Sequence, residues 1–223
     1  MKDIDVIILS NTADIKYYKL LKQCVMSIKS NKDINTHIIL IETNKNLKGS
    51  DLKLPIDVLY VPDDEEFNYN KFLNYGLQHC KHDNICISNN DVVYESNTLK
   101  VLIDSLDNYD SVSPWDNNDS WKFHPYRDTY EGYKTTSHIT GWCLVTTRKT
   151  LETIGGSFDE RFAFWFQDND YAELLKKHNL THALIGDVSV YHIGQRSHNL
   201  LGDKEVGMTE GLRSSFNNKW RSK

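Results

Sequence analysis

Residues 5–12 read DVIILSNT, a continuous apolar run that ends in a polar turn. An apolar run of strand length without alternation is typical of a strand that is buried on both faces of a sheet. Three more strands are predicted further along the chain, at His37–Ile41, Val58–Val61 and Asn84–Ser88. Apolar residues at helical spacing lie between them, at 14–30 and 70–80. This alternation predicts an α/β fold with a mostly parallel central sheet flanked by helices.

The second half of the chain has a more mixed pattern. Ser96 is the expected N-cap of a helix whose apolar residues run from Leu99 to Leu106. Residues 114–133 are rich in aromatic side chains and poor in aliphatic ones, which predicts a long functional loop. The elements predicted after this loop are strands at Ile139–Val145 and Val188–His192 and helices at 149–154 and 168–177. Because no repeat or linker divides the chain, we expect a single domain that ends in a polar tail at 196–223.

The composition is that of an ordinary globular protein. The 223 residues are 39% hydrophobic, which is enough for a core, and the net charge of −5 does not favour a nucleic-acid binder. The four cysteines form no CxxC pair, which argues against zinc or iron–sulfur ligation. No stretch approaches the roughly 18 apolar residues of a membrane span. We expect a cytoplasmic protein without integral membrane contact, and peripheral association with the inner membrane is the alternative.

Polar residues follow several of the predicted strands at the point where each strand ends. In parallel α/β sheets, ligands bind beyond the carboxyl ends of the strands. The residues that this rule selects are Ser10, Asn11, Glu42, Thr43, Asn89, Asn90 and Asp91. The sequence therefore predicts a binding site at this edge of the sheet.

A second set of polar residues lies between Thr140 and Gly194. The stretches are TGWCLVTTRKTLETIGGSFDE at 140–160, RFAFWFQDNDYAELL at 161–175 and DVSVYHIG at 187–194. They place Asp168 and Asp170 at the start of a predicted helix and His192 at the end of the last predicted strand. These residue types suit a site where a metal, a general base and a leaving group meet.

The order of these pieces resembles the GT-A glycosyltransferases of family 2, which are inverting enzymes with nucleotide-sugar donors. The family's first two strands are similar to VIILSNT and ILIETNKN, and its aromatic–small–Asn–x–Gly helix is similar to FNYNKFLNYGL. Its DxD motif, often NxD, resembles Asn89–Asn90–Asp91. The later motifs are matched at Thr140, Gly141, Cys143, Arg148, Gly155, Gly156, Phe158, Asp159, Glu160, Asp168, Asp170, Tyr191 and His192. The resemblance covers roughly residues 4–195.

This resemblance implies a metal-dependent, non-processive inverting glycosyltransferase. It makes residues 1–106 the nucleotide-sugar-binding half and residues 107–195 the acceptor and catalytic half. Mn²⁺ or Mg²⁺ would be held by Asp91 and His192, and Asp168 would be the catalytic base. The implied donor-binding residues are Ser10, Asn11, Glu42, Asn74, Asn89, Asn90 and Asp91. The implied acceptor-binding residues are Trp142 and Asp170.

Two departures from the family motifs keep other functions open. Asn89 stands where the DxD motif has its first acid, and Gln167 stands where the family has the Glu of a Glu–Asp pair. One alternative is an inactive GT-A module that binds a nucleotide sugar or a glycan, and a more distant one is a metal-dependent phosphoesterase. The QxxRW motif of processive synthases is absent, so transfer of a single sugar is expected. The acceptor is a glycan, a lipid-linked glycan or a modified DNA base.

Several single residues also have simpler interpretations. Asp168 and Asp170 at a helix start complement the helix dipole, and Asp170 is a candidate helix cap. Trp142 packs in the core or forms the floor of the acceptor pocket. Arg148 caps the following helix or contacts a phosphate. The tail after Gly194 is either solvated or folds over the donor when the donor binds.

Overall fold

The computed structural model describes residues 1–47, 52–54, 56–62, 64–118, 128–194 and 204–222, with side chains from residue 209 in the last range. The centre of the predicted aromatic loop and the first part of the predicted tail lie outside these residues. Among the described residues, no helix has both the length and the apolar character needed to cross a membrane.

The described residues form one nine-stranded sheet with helices on both faces. The strands are β1 Lys2–Ser10, β2 Ile34–Glu42, β3 Asp57–Tyr60, β4 Asn84–Asn89, β5 Val92–Tyr94, β6 Ser111–Asp116, β7 Tyr130–Glu131, β8 Cys143–Thr147 and β9 His182–His192. The helices are α1 Ile15–Lys29, α2 Tyr69–Leu77, α3 Thr98–Ser105, α4 Arg148–Thr153, α5 Gln167–Lys177 and α6 Lys204–Trp220. The strand order is β3-β2-β1-β4-β8-β6-β9-β5, and β7 pairs with β9.

The first half of the sheet is parallel, as the apolar runs predict. β1 pairs in parallel with β2 and with β4, and β2 pairs in parallel with β3. The register aligns Ser10 with Glu42 and Leu9 with Asn89. Three strands therefore end side by side, and this alignment brings their polar end residues to one edge.

Successive residues of β1 pack on opposite faces of the sheet. Val6 and Ile8 belong to one apolar cluster, with α1 and α3, while Ile7 belongs to the other, with α2 and α5. All three side chains are fully buried. This two-faced burial explains the unbroken apolar run of the strand and confirms the predicted α/β class.

The second half of the sheet is mixed, and here several boundaries differ from the sequence prediction. β6 includes Pro114 and Trp115, which the sequence assigns to a loop, and β5 is not predicted at all. β9 begins at His182, six residues before the predicted start at Val188. β8 begins at Cys143 and not at Ile139. The region predicted as a polar tail contains α6.

The sequence does not predict strand β6, and the residues of this strand explain why. Its buried residues include Ser111 and Ser113, so it lacks the aliphatic run that marks the other strands. Ser111 Oγ lies 2.9 Å from His182 Nδ1, and Ser113 Oγ accepts a hydrogen bond from Thr140 N. The pairing with β9 shifts register between Pro114 and Trp115, the kind of irregularity at which a strand tolerates proline.

The start of α3 also differs from the prediction. Its N-cap is Asn97 and not Ser96, and the Asn97 side chain makes no capping hydrogen bond. The side chain of Asn31, at the end of α1, accepts a hydrogen bond from Leu99 N at 2.9 Å instead. The Asn31 side chain thus accepts the hydrogen bond that the N-cap side chain of α3 would normally accept.

Candidate active site at the carboxyl ends of the parallel strands

Glu42 organises the turn that follows β1. Its carboxylate is 1% exposed and accepts hydrogen bonds from Thr12 N at 3.0 Å and from Thr12 Oγ1 at 2.7 Å. It also accepts one from Asn44 N at 2.8 Å, while Asn44 Nδ2 donates to Thr12 O. These bonds satisfy a buried carboxylate and fix the loops after β1 and β2 against each other. Asn11 lies exposed in the same turn.

The end of β4 is held by its two neighbouring strands. Asn90 Nδ2 donates to Ser10 Oγ at 2.9 Å, which links the predicted DxD-like motif to the end of β1. On the other side, Asn89 N donates to Trp142 O at 2.9 Å. The structure therefore brings together Ser10, Asn89 and Asn90, which the sequence predicts as donor-binding residues.

The predicted metal pair also comes together. His192 Nε2 lies 3.4 Å from Asp91 Oδ1, and their side chains are 19% and 13% exposed. Asp91 Oδ2 accepts a hydrogen bond from Gly194 N, and Asp91 O accepts one from Ile193 N. The antiparallel pairing of β5 with β9 sets this contact, because it places Val92 opposite His192.

A carboxylate and an imidazole this close together could bind the same divalent cation. Carboxylate oxygens suit Mg²⁺ and Mn²⁺, and imidazole is a common ligand of transition metals. Within the described ranges, no group of three or more His, Cys, Asp or Glu side chains is arranged to hold a metal ion. Asp91 and His192 alone could supply two ligands, and a cation held there would need its other ligands from a bound molecule or water.

Trp142 stacks on the imidazole of His192. The two ring centroids are 5.1 Å apart and the planes are inclined by 22°. Trp142 is partly buried and packs against the apolar cluster on the α1 face. One face of the indole is therefore used to orient His192, a role that the sequence does not predict. The acceptor-binding role predicted for Trp142 stays a prediction.

Asp168 lies at the start of α5, next to the chain that carries Trp142. A methyl group placed on Gly141 would lie 3.4 Å from Asp168 Oδ2, so this glycine lets the carboxylate approach the backbone closely. Burial raises the pKa of Asp168. The pKa of the Tyr69 phenol is raised by burial and by the negative charge of Asp168, which places that phenol near the carboxylate. Asp168 therefore lies beside the backbone that leads into Trp142, the residue that stacks on His192.

Asp170 has partners in the last turn of α6. The Asp170 carboxylate is 2% exposed, and Lys219 Nζ lies 2.8 Å from Oδ1 and 2.9 Å from Oδ2. Trp220 Nε1 donates a hydrogen bond to Oδ1 at 2.7 Å. The acceptor contact predicted for Asp170 stays a prediction. The only sequence signal for this pairing is the apolar spacing of Phe216 and Trp220, four residues apart in a tail predicted to be polar.

Two further predicted residues have structural contacts. Asn74 Oδ1 accepts from Phe158 N, and its Nδ2 donates to Phe158 O and to Glu160 Oε1, so its amide joins α2 to the segment after α4. Arg148 Nη2 donates to Cys80 O and His82 O, two carbonyls that follow α2. Arg148 therefore holds the end of the α2 segment and does not cap α4.

A model of the family described as "Glycosyl transferase family 2" matches residues 6–155, more than half of the chain. The chain belongs to this family. The family predicted from the sequence is therefore confirmed. A search of the curated proteins found no matching sequence.

Two crystal structures of S. aureus TarS have a similar fold. The structure described as TarS 1-349 has 13% identity and a TM-score of 0.65, and the match covers 86% of this chain and 60% of that chain. The structure described as TarS has 14% identity and a TM-score of 0.61, with coverage of 86% and 36%. At this identity the likeness concerns the fold, which is the GT-A fold expected from the sequence. This family 2 chain spans 60% or less of the length of either TarS chain.

Proposed function

We propose that this family 2 protein is a metal-dependent, non-processive inverting glycosyltransferase, which transfers one sugar from a nucleotide-sugar donor to an acceptor hydroxyl. The observation that carries the proposal is that Asp168 is linked to the Asp91–His192 pair through Gly141 and Trp142. Asp91 and His192 form a pair 3.4 Å apart, and Asp168 lies against Gly141, directly before the tryptophan that stacks on His192. Sugar transfer needs a stabilised leaving group and a base close together, and Asp91, His192 and Asp168 could serve both needs.

The donor would bind along the ends of β1, β2 and β4. The turn that Glu42 fixes would receive the nucleoside, and the Ser10–Asn90 contact lies between that turn and Asp91. Asp91 and His192 would hold Mn²⁺ or Mg²⁺. When bound, this cation would neutralise the charge of the diphosphate. These residues then serve to hold the donor with its anomeric carbon toward Asp168.

Asp168 would accept the proton of the acceptor hydroxyl as the hydroxyl oxygen attacks the anomeric carbon. The new carbon–oxygen bond forms while the bond to the diphosphate breaks, and attack from the opposite face inverts the anomeric configuration. Burial supports this role because it raises the pKa of Asp168, and a carboxylate of higher pKa is a stronger base.

The acceptor that fits the chain best is a glycan or a lipid-linked glycan. A DNA base is less well supported, because a net charge of −5 opposes approach to a phosphate backbone. The experiment that tests the function is a thermal-shift titration with UDP-, GDP-, CMP- and dTDP-sugars, each with and without Mn²⁺. A donor that binds only the folded chain raises its melting temperature.

The outcomes separate an enzyme from an inactive module. We expect one nucleotide to give a metal-dependent shift, and we expect that donor to be hydrolysed or transferred with inversion, measured by NMR of the released sugar. A shift without hydrolysis or transfer to any acceptor would favour the inactive module, for which Asn89 and Gln167 are the supporting residues. Absence of a shift with all four donors would contradict the proposed donor site.

A further inference from the structure

The end of α6 contacts the segment that leads into α5 and the first turn of α5. Lys219 Nζ lies 2.8 Å from Asp159 Oδ2 and also contacts the Asp170 carboxylate. Trp220 Nε1 donates to Asp170 Oδ1 at 2.7 Å. Phe216 stacks on Phe166, with ring centroids 5.4 Å apart and planes inclined by 28°. The two ends of residues 159–170 are therefore both in contact with α6.

The charges at this contact make α6 necessary for the buried carboxylate. Asp170 is 2% exposed, and a buried carboxylate is stable only when it is paired and hydrogen-bonded. Both of its oxygens are within hydrogen-bond distance of Lys219, and one also accepts from Trp220. Asp159 has a second partner in Arg161, which together with Lys219 holds the pKa of that carboxyl well below its usual range. Lys219 is thus the cation that Asp170 uses.

Phe166 gives the start of α5 an unfavourable backbone. Its φ of 68° lies in the left-handed region, which a bulky aromatic residue adopts only when its surroundings hold it there. Phe166 is the N-cap of α5, and its carbonyl accepts the hydrogen bond of Asp170 N at 2.8 Å. The Phe216 ring stacks on the Phe166 side chain and Trp220 binds the Asp170 side chain, so α6 contacts both residues of this first helical bond.

Asp168 lies midway between these two contacts. Residues two apart at a helix start are separated by about 200° around the axis, so Asp168 and Asp170 project to opposite sides of the turn. Asp170 contacts α6, whereas Asp168 lies beside Gly141. A rotation or shift of this turn would move Asp168 away from the site edge without breaking the contacts of the donor-side strands.

We infer that Phe216, Lys219 and Trp220 are positioning residues for Asp168. They hold the strained turn at Phe166 from the side opposite Asp168. They thereby set the position of the carboxylate that the proposed reaction uses as its base. The inference rests on the proposed function through that role of Asp168. It assigns a task in sugar transfer to the last turn of the chain's final helix, 48 or more residues beyond the base.

The test compares three substitutions in α6. Lys219→Met removes the charge, Trp220→Phe removes the N–H donor and keeps an aromatic ring, and Lys219→Arg keeps the charge. We expect Lys219→Met to lower kcat by about 100-fold and Trp220→Phe by about tenfold, since a misplacement near 1 Å costs rates of this order. The donor KM should change by less than about twofold, because donor contacts come from the parallel strands. Lys219→Arg should restore most of the lost kcat.

Asn218→Ala is the matched control, because Asn218 is exposed on the same turn and should leave kcat unchanged. Amide hydrogen exchange adds a readout that needs no activity. In Lys219→Met and Trp220→Phe, the amide of Asp170 should exchange at least about tenfold faster than in the parent, while amides of β1 and β2 keep their rates.

Two results would overturn the inference. One is an unchanged kcat and an unchanged Asp170 amide in both Lys219→Met and Trp220→Phe. The other is a parallel loss of kcat, donor binding and protection throughout the chain, which would indicate general destabilisation. If the parent protein itself transfers no sugar, the proposed function fails, and the exchange of the Asp170 amide alone then decides whether α6 holds this turn.

Discussion

We call the ends of β1, β2 and β4 the donor edge of the proposed site and the start of α5 its base edge, and the two are built in different ways. At the donor edge, the polar residues end adjacent strands and hold one another, as Ser10 holds Asn90 and as Glu42 holds Thr12. At the base edge, Asp168 lies at the start of a helix whose first turn contacts α6. The first arrangement is fixed by strand register, and the second is fixed by a buried ion pair and an aromatic stack.

This difference has consequences for how each edge responds to substitution. A change at a strand end disturbs ligand contacts but leaves the strands in register, because their apolar side chains are packed on both faces. A substitution in α6 at its contact with α5 would shift Asp168, which is far from the substituted residue in the sequence. We therefore expect binding defects from the donor edge and rate defects from the base edge.

The largest expected effect is the loss of the base. Asp168→Asn keeps the size of the side chain but removes its capacity to accept a proton, so kcat should fall by roughly 10²–10⁴-fold. The donor Kd, measured by calorimetry with Mn²⁺, should change little. Glu173→Gln, further along the same helix, is the control and should keep full activity. Equal activity of Asp168→Asn and the parent would remove Asp168 from the mechanism and, with it, the distinction between the two edges.

The next effect concerns the Asp91–His192 pair. Asp91→Asn or His192→Ala should weaken donor binding in Mn²⁺ by about 10–100-fold, comparable with removing a metal ligand's contribution, and should leave metal-free binding nearly unchanged. Asp187→Asn, which changes an exposed acid of β9, is the matched control. The measurement is calorimetry with and without Mn²⁺. Parent-like binding by both variants in Mn²⁺ would contradict the metal assignment.

The parallel half of the fold follows from the sequence because its strands are short, unbroken apolar runs. The same runs, together with the rule about strand ends, also select Ser10, Glu42 and Asp91 as site candidates. β6 does not follow, because its buried residues include two serines whose partners lie on β9 and in the loop before β8. Local periodicity carries no information about such partners.

The contact of α6 with α5 is hidden for a related reason. Asp170 and its partners Lys219 and Trp220 are 49 and 50 residues apart. In the sequence they read as an acid in a first helical turn and as two residues of a tail that is predicted to be polar. Their pairing becomes visible only when the fold shows that the acid is buried.

A smaller effect concerns the stability of the mixed half, where His182 begins β9. Burial lowers its pKa to about 4, against an ordinary value of 6.5. Between these values the unfolded chain binds a proton that the folded chain excludes, so stability falls as the pH falls below 6.5. At 1.36 kcal/mol per pKa unit, this residue should cost about 2 kcal/mol of unfolding free energy between pH 7 and pH 5.

The check is urea denaturation at pH 7 and pH 5 of the parent and of His182→Gln. The glutamine does not titrate, so its loss of stability between the two pH values should be smaller than that of the parent by about 2 kcal/mol. His79→Gln, at an exposed position, should behave as the parent does. The same pH dependence in His182→Gln as in the parent would show that His182 is not the group responsible.

The smallest expected effect distinguishes two roles of Trp142. Stacking on His192 is worth about 0.5–1.5 kcal/mol beyond simple burial, so Trp142→Leu should weaken Mn²⁺-dependent donor binding by about 3–10-fold. Trp142→Phe keeps an aromatic ring against the imidazole and should lie close to the parent. If Trp142→Leu instead raises the acceptor KM and leaves donor binding in Mn²⁺ unchanged, the indole belongs to the acceptor side. Trp142 would then join the base edge, and orientation of His192 would rest on the β5–β9 pairing alone.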